Sequence, residues 1–195
     1  MKAFSLLPGA FVLLLATAGC QSSEMAQAEA STRNPTASAT SPVERGQYLV
    51  TVAGCNDCHT PFKMGAHGPE PDMTRMLAGH PQNLAMPPAP SSQGPWIWSG
   101  AATNTAFAGP WGVSYASNLT PEPNTGLGIW TEDLFVKALR TGRHWGQARP
   151  ILPPMPWQNY ARMTDDDLKA IYAYLRTIPP VVNTVPESVP APPPS

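Results

Sequence analysis

Five consecutive residues, Cys55-Asn56-Asp57-Cys58-His59, hold two thiols and an imidazole in a Cys-x-x-Cys-His arrangement. This spacing reads as c-type haem attachment. The two thiols can add to the two vinyl groups on one porphyrin edge, and the imidazole that follows then lies beneath the ring, where it can bind iron. A zinc site needs four ligands, and the chain has no second cysteine pair to provide them. A thioredoxin-like redox pair belongs to a βαβ setting, whereas the residues before Cys55 read as helical. A single motif implies a single covalent haem c.

An iron held by His59 from one side needs a decision on the other. Met155 is the best candidate, because Pro153-Pro154-Met155-Pro156 frames the thioether with prolines that remove backbone freedom. His144 is the main rival; His67 and His80 are weaker and read as solvated loop residues. Met64, Met73, Met76 and Met86 lie on a long loop without such framing, and Met163 precedes a helix and reads as packing. With His59 and Met155 as the two metal ligands, no position is left for oxygen, peroxide or substrate. The iron then only changes oxidation state, and thioether ligation favours the ferrous form. That describes an electron carrier and not an enzyme. The alternatives are a haem enzyme or gas sensor with a labile sixth ligand, and an assembly subunit in which the haem is incidental.

Three helices are expected to position these ligands. Ser41-Pro42-Val43-Glu44 combines an N-cap serine, proline at the first helical position and glutamate at N3, so a helix should run to about Ala53 and deliver Cys55 from its end. Gly46 within it marks a close approach by another helix. A second helix starts at Thr131, with Trp130 and Phe135 as a hydrophobic staple, and Gly142 ends it. A third starts at Thr164. Leu168, Ile171, Tyr172 and Leu175 recur at helical spacing before Pro179-Pro180, and Asp165, Asp166 and Asp167 suit the helix dipole in its first turn. Between His59 and Thr131 the periodic signals are weak: a short helix over 72–77 and a hairpin over 107–115 are the readings available. So long a loop is reasonable if it wraps a large apolar cofactor, with Trp96, Trp98 and Trp111 either on or near the porphyrin or filling ordinary loop core.

The first 19 residues have a short positive start and an apolar run over 4–18 broken by Pro8, which reads as a signal peptide. Thr17-Ala18-Gly19-Cys20 resembles a lipobox, with Thr17 where that pattern usually has leucine. Acyl chains on Cys20 would hold the product at a membrane. Gln21 in place of an aspartate leans toward the outer membrane. Residues 21–41 read as a flexible tether, with a root-mean-square reach of roughly 25 Å. Two cysteines for haem and one for lipid leave no free thiol in an oxidising compartment. The domain is expected over 42–182, and residues 183–195 read as part of a solvated, proline-rich tail beginning near Val181.

The composition agrees with one loop-rich domain. The chain has 195 residues, 25 of them proline and only 13% charged, which excludes a long coiled coil and argues against an ordinary three-layer α/β enzyme. Hydrophobic residues at 42% exclude wholesale disorder. A net charge of −1 with no basic run leaves nucleic acid without an electrostatic footprint.

On RGQYLVTVAGCNDCHT (residues 45–60), SNLTPEPNTGLGIWTEDLFVKALRTG (117–142) and PPMPWQNYARMTDDDLKAIYAYLRTIPP (153–180), the chain resembles bacterial class I c-type cytochromes. The likeness is to the cytochrome domains of periplasmic alcohol, gluconate, aldehyde and nicotinate dehydrogenases. It implies a mainly α, cytochrome c-like domain with long loops. It also implies haem on Cys55 and Cys58, His59 and Met155 as axial ligands, and a first helix crossing the last near Gly46. The partners implied are a periplasmic dehydrogenase and a downstream acceptor. Those subunits often carry three such domains, whereas this chain has one motif. His59 should give its other ring nitrogen to a carbonyl, from Pro121 or a neighbour on the 118–121 loop, and Arg143 should meet a haem propionate.

Overall fold

The computed structural model describes residues 40–90 and 95–191. The signal segment, Cys20 and residues 21–39 of the tether lie outside the described residues.

The helices begin where their caps require. Ser41 Oγ accepts the Glu44 N–H at 3.2 Å, and the Glu44 carboxylate accepts the Ser41 N–H at 2.9 Å, opening α1 (Pro42–Val52) with a reciprocal capping box. A short helix α2 (Cys55–His59) follows directly. Thr131 caps α3 (Glu132–Thr141) by accepting the Leu134 N–H at 3.2 Å, and the chain leaves that helix through Gly142. After a one-turn helix α4 (Trp157–Tyr160), Thr164 caps α5 (Asp165–Leu175) through the Asp167 N–H at 3.1 Å.

The apolar faces of α1, α3 and α5 meet in one core that includes Leu49, Val50, Phe135, Leu168, Ile171 and Leu175. The crossing of α1 over α5 needs Gly46: a Cβ there would lie 1.9 Å from the Ala170 carbonyl oxygen and 2.8 Å from Tyr174 Cβ. No larger residue fits at this separation. The aspartates of α5 do more than answer the dipole. Asp167 pairs with Arg45 of α1 at 2.9 Å, and Asp165 pairs with Arg140 of α3.

The remainder is loop with two small antiparallel sheets. β1 (Phe62–Gly65) and β2 (Gly68–Pro71) form a hairpin that the periodicity did not announce. A single 3₁₀ turn at Met73–Arg75 stands where a helix over 72–77 was expected. The expected second hairpin is present as β4 (Ala106–Gly109) and β5 (Gly112–Tyr115), in the register Ala106↔Tyr115 to Gly109↔Gly112. They are the middle of a four-stranded sheet, flanked by β3 (Ser99–Gly100) and β6 (Val189–Pro190).

β6 overturns the reading of a free C-terminal tail. Val189 and Pro190 pair with β5, the Ala191 N–H donates to the Trp111 carbonyl at 2.9 Å, and Asn183 is fully buried. Proline removes donors from such a segment but leaves every carbonyl, and a neighbouring edge strand can use them.

Candidate haem site

One cleft of about 420 Å³ opens between the helical core and the loops. Cys55, Cys58 and His59 line it from α2, and Met155 lines it from the loop ahead of α4. The four residues singled out for cofactor chemistry are therefore brought together, although they lie up to 100 positions apart in the sequence.

His59 is buried, and its Nδ1 lies 2.7 Å from the Ser117 carbonyl oxygen. A carbonyl only accepts, so Nδ1 carries the proton and Nε2 keeps its lone pair. Burial lowers the imidazole pKa against a smaller opposing pull from Ser117, which favours a neutral ring. The carbonyl comes from one residue ahead of the 118–121 loop that sequence reasoning named. Packing decides this. The Gly79 N–H donates to the His59 carbonyl at 2.8 Å, His80 N–H to Ala116 at 2.9 Å, and Leu119 N–H to Leu77 at 2.8 Å, so residues 77–80 run against 116–119. Gly79 permits the approach: its φ is +77°, and a Cβ would lie 2.4 Å from the Ala116 oxygen. Nothing in the sequence distinguished Gly79 from an ordinary loop glycine.

Burial pushes the Cys55 thiol up to about 11, and the Cys58 thiol rises through burial and then the Asp57 charge. Before any covalent attachment, both sulfurs therefore favour the neutral thiol. Tyr160 Oη, pushed up to about 12 chiefly by burial, donates to the Ala53 carbonyl at 2.7 Å and so ties α4 to the turn before Cys55.

The Met155 loop is fixed from two sides. Ser114 Oγ on β5 donates to the Pro153 carbonyl at 2.5 Å, and the Ile151 N–H donates to Gly142 at 2.8 Å. His144 also lines the cleft, edge-on to Trp130 at 5.2 Å and to Trp145 at 5.8 Å. The other candidates lie elsewhere. His67 is exposed near the β1–β2 turn, away from the cleft. His80 is fully buried, not solvated, with Nδ1 2.9 Å from Thr105 Oγ1 and Nε2 3.0 Å from the Leu84 oxygen, so both ring nitrogens are committed. Met64 and Met73 are exposed, Met76 and Met163 pack on the helical core, and Met86 does not line the cleft.

Two further expectations are corrected. Trp96, Trp98 and Trp111 do not line the cleft: Trp96 is 78% exposed, Trp98 lies edge-on to Phe107, and Trp111 covers Gly109. The tryptophans that line it are Trp130 and Trp145, stacked at 4.7 Å. Trp130 earns its place as the staple of α3, and Trp145 by the 3₁₀ turn His144–Gly146 that follows that helix. Arg143 donates to the Ala148 carbonyl at 2.9 Å and is not in the cleft wall, whereas Arg149 is.

An apolar cleft with two thiols, an imidazole with a free Nε2 and a thioether fits a haem. Among the described residues no group of three or more His, Cys, Asp and Glu could hold a bare metal ion. The profile of the cytochrome c family matches residues 43–179. The chain belongs to the cytochrome c family.

Membership implies covalently bound haem c and an electron-transfer domain rather than a catalytic one. The chain is 31% identical to the fructose dehydrogenase cytochrome subunit of Gluconobacter japonicus, over 85% of this chain and 26% of that protein. It is 30% identical to the cytochrome c subunit of a quinone alcohol dehydrogenase of Gluconobacter oxydans, over 68% of this chain and 20% of that one. The gluconate 2-dehydrogenase cytochrome c subunit of Pantoea cypripedii is also 30% identical, over 68% and 22%. This cytochrome thus spans about a quarter or less of the length of these relatives. Among its described residues no helix is long and apolar enough to cross a membrane.

Proposed function

We propose that this cytochrome carries one haem c, bound through Cys55 and Cys58 with His59 and Met155 as axial ligands. It relays single electrons from a dehydrogenase toward a downstream acceptor on the periplasmic side of a bacterial membrane, where lipid on Cys20 holds it. The observation that carries the reading is the convergence of Cys55, Cys58, His59 and Met155 on one cleft. The haem supplies an iron that exchanges one electron between ferric and ferrous states. The chain's own part is to hold it. Ser117 orients the His59 ring, and the two proline-flanked anchors at Pro153 and Ile151 fix the Met155 loop. The apolar wall keeps water away, which together with a thioether ligand raises the potential.

The test is spectroscopic, on protein matured in a host that attaches haem c. Intact mass and a pyridine haemochrome assay should give one haem per chain. Ferric wild-type protein should show the thioether charge-transfer band and bind cyanide slowly. Met155→Ala should lose the band and bind carbon monoxide at once when reduced, while His144→Ala should keep the wild-type spectrum. Retention of the band in Met155→Ala, or immediate ligand binding by the wild type, would overturn the assignment; the latter would favour a sensor or enzyme.

A further inference from the structure

The family profile ends at residue 179, yet the chain beyond it is built into the cofactor cleft. Residues 184–188 line that cleft, and both flanks are pinned. On one side Asn183 makes four side-chain hydrogen bonds: Oδ1 accepts from Arg75 at 2.8 Å and the Gln82 N–H at 2.9 Å, and Nδ2 donates to the Ala78 and His80 carbonyls at 2.7 and 2.9 Å. The Thr184 N–H adds a bond to Gln82 Oε1 at 2.8 Å. On the other side Val189 and Pro190 form β6. Between the pins, Glu187 meets Arg149 at 3.0 Å. These two are the charged side chains among the residues lining the cleft.

We infer that residues 184–188 are a further wall of the haem site, a strap that would shield a bound cofactor from solvent, with the Glu187–Arg149 pair, 83% and 39% exposed, as its outer latch. The geometry gives it this role because the anchors at Asn183 and β6 hold residues 184–188 in the cleft wall. A wall that excludes water disfavours the ferric state, since the extra charge on iron loses solvation. It would also keep small reductants in solution away from the bound cofactor.

This inference rests on the haem reading above, and haem stoichiometry separates the two. A holoprotein truncated after Asn183 keeps the buried anchor and loses strap, latch and β6. With one haem per chain and an unchanged far-UV spectrum, its reduction equilibrium against a fixed-potential mediator should shift toward ferric by about threefold to tenfold, tenfold being about 59 mV for one electron. Its rate of reduction by ascorbate should rise severalfold. Glu187→Gln in the full chain leaves every backbone contact in place. It should raise the ascorbate rate by about twofold and make residues 184–188 exchange amide hydrogens faster. Equilibrium, rate and exchange all equal to wild type in haem-loaded variants would overturn the strap. A truncated chain that cannot retain its fold leaves the Glu187→Gln rate and exchange to decide, and no change there would equally overturn it. Absence of haem from the wild type would instead sink the functional reading itself.

Discussion

The helical core and the loop side of the cleft are held together by different means. Around α1, α3 and α5 each element is stabilised by its own sequence: a cap within three residues, an apolar stripe at helical spacing, and ion pairs between neighbouring helices. On the loop side the local order among the described residues amounts to short hairpins and single 3₁₀ turns. This side is laced by polar side chains that reach across 17 to 105 positions. Asn183 binds the 78–82 turn, and Asn118 Nδ2 donates to the Val181 carbonyl at 2.8 Å. The Leu77 N–H is taken by Thr60 Oγ1 at 2.8 Å. A buried polar group that loses its partner costs more than a pairing gains, so the laced side should be brittle where the helical side, the Gly46 crossing apart, is tolerant.

The sharpest way to break this contrast is Asn183→Ala. It orphans two buried carbonyls and two donors at once, for an expected loss of about 4 kcal/mol, given about 1–3 kcal/mol for each unsatisfied group and incomplete additivity. Hydrogen exchange should rise first over residues 77–82 and 116–127, with α1 and α5 still protected. Equal loosening of the helices would erase the distinction. Gly46→Ala comes next, at about 2–3 kcal/mol, because the new methyl must push α1 off the Ala170 carbonyl. Denaturant unfolding should show it as a global loss, spread over both sides, since α1 also carries the turn into Cys55.

A pH-dependent test isolates one laced loop. Glu122 accepts from the Thr125 hydroxyl at 2.6 Å and the Asn124 N–H at 2.9 Å, and these bonds, led by Thr125, hold its carboxyl below the usual range. The unfolded chain therefore takes the proton first. The stabilisation is whole above about pH 4.3, the ordinary glutamate value, and is lost as pH falls through the lower folded value. Thermal melts should show Glu122→Gln less stable than wild type at pH 7, with the gap closing as the pH falls. A gap independent of pH would mean the loop does not depend on that charge. The smallest effect is expected on the helical side. Thr164→Ala should cost about 1 kcal/mol, the usual worth of a cap, and should leave haem spectrum and cleft unchanged.

The same contrast explains what could be read in advance. Ser41, Thr131, Thr164 and Gly46 carry signals that act within a turn or mark a crossing, and each lies where those signals put it. His80 reads as solvated from its place in a loop, yet it is fully buried with Thr105 and Leu84 as partners, which no local pattern ties to it. Residue type alone leaves Trp96 and Trp98 open to either a cofactor or loop core, and neither lines the cleft, whereas Trp130 is marked as a staple by its position and does line it.

Chemistry and secondary structure were thus written in short stretches of the chain. Cys55, Cys58 and His59 read as a haem attachment motif from their spacing alone, and the caps define three helices through bonds between residues three or four apart. Which carbonyl meets the His59 ring, which arginine lines the cleft and which C-terminal segment joins its wall were decided only when distant segments met. Those choices depend on close approach at Gly79, on the buried amide of Asn183 and on the pairing of β6 with β5. Such contacts form between residues whose separation in sequence leaves no period to read, and they are fixed by the need to satisfy buried polar groups as the loops close around the cleft.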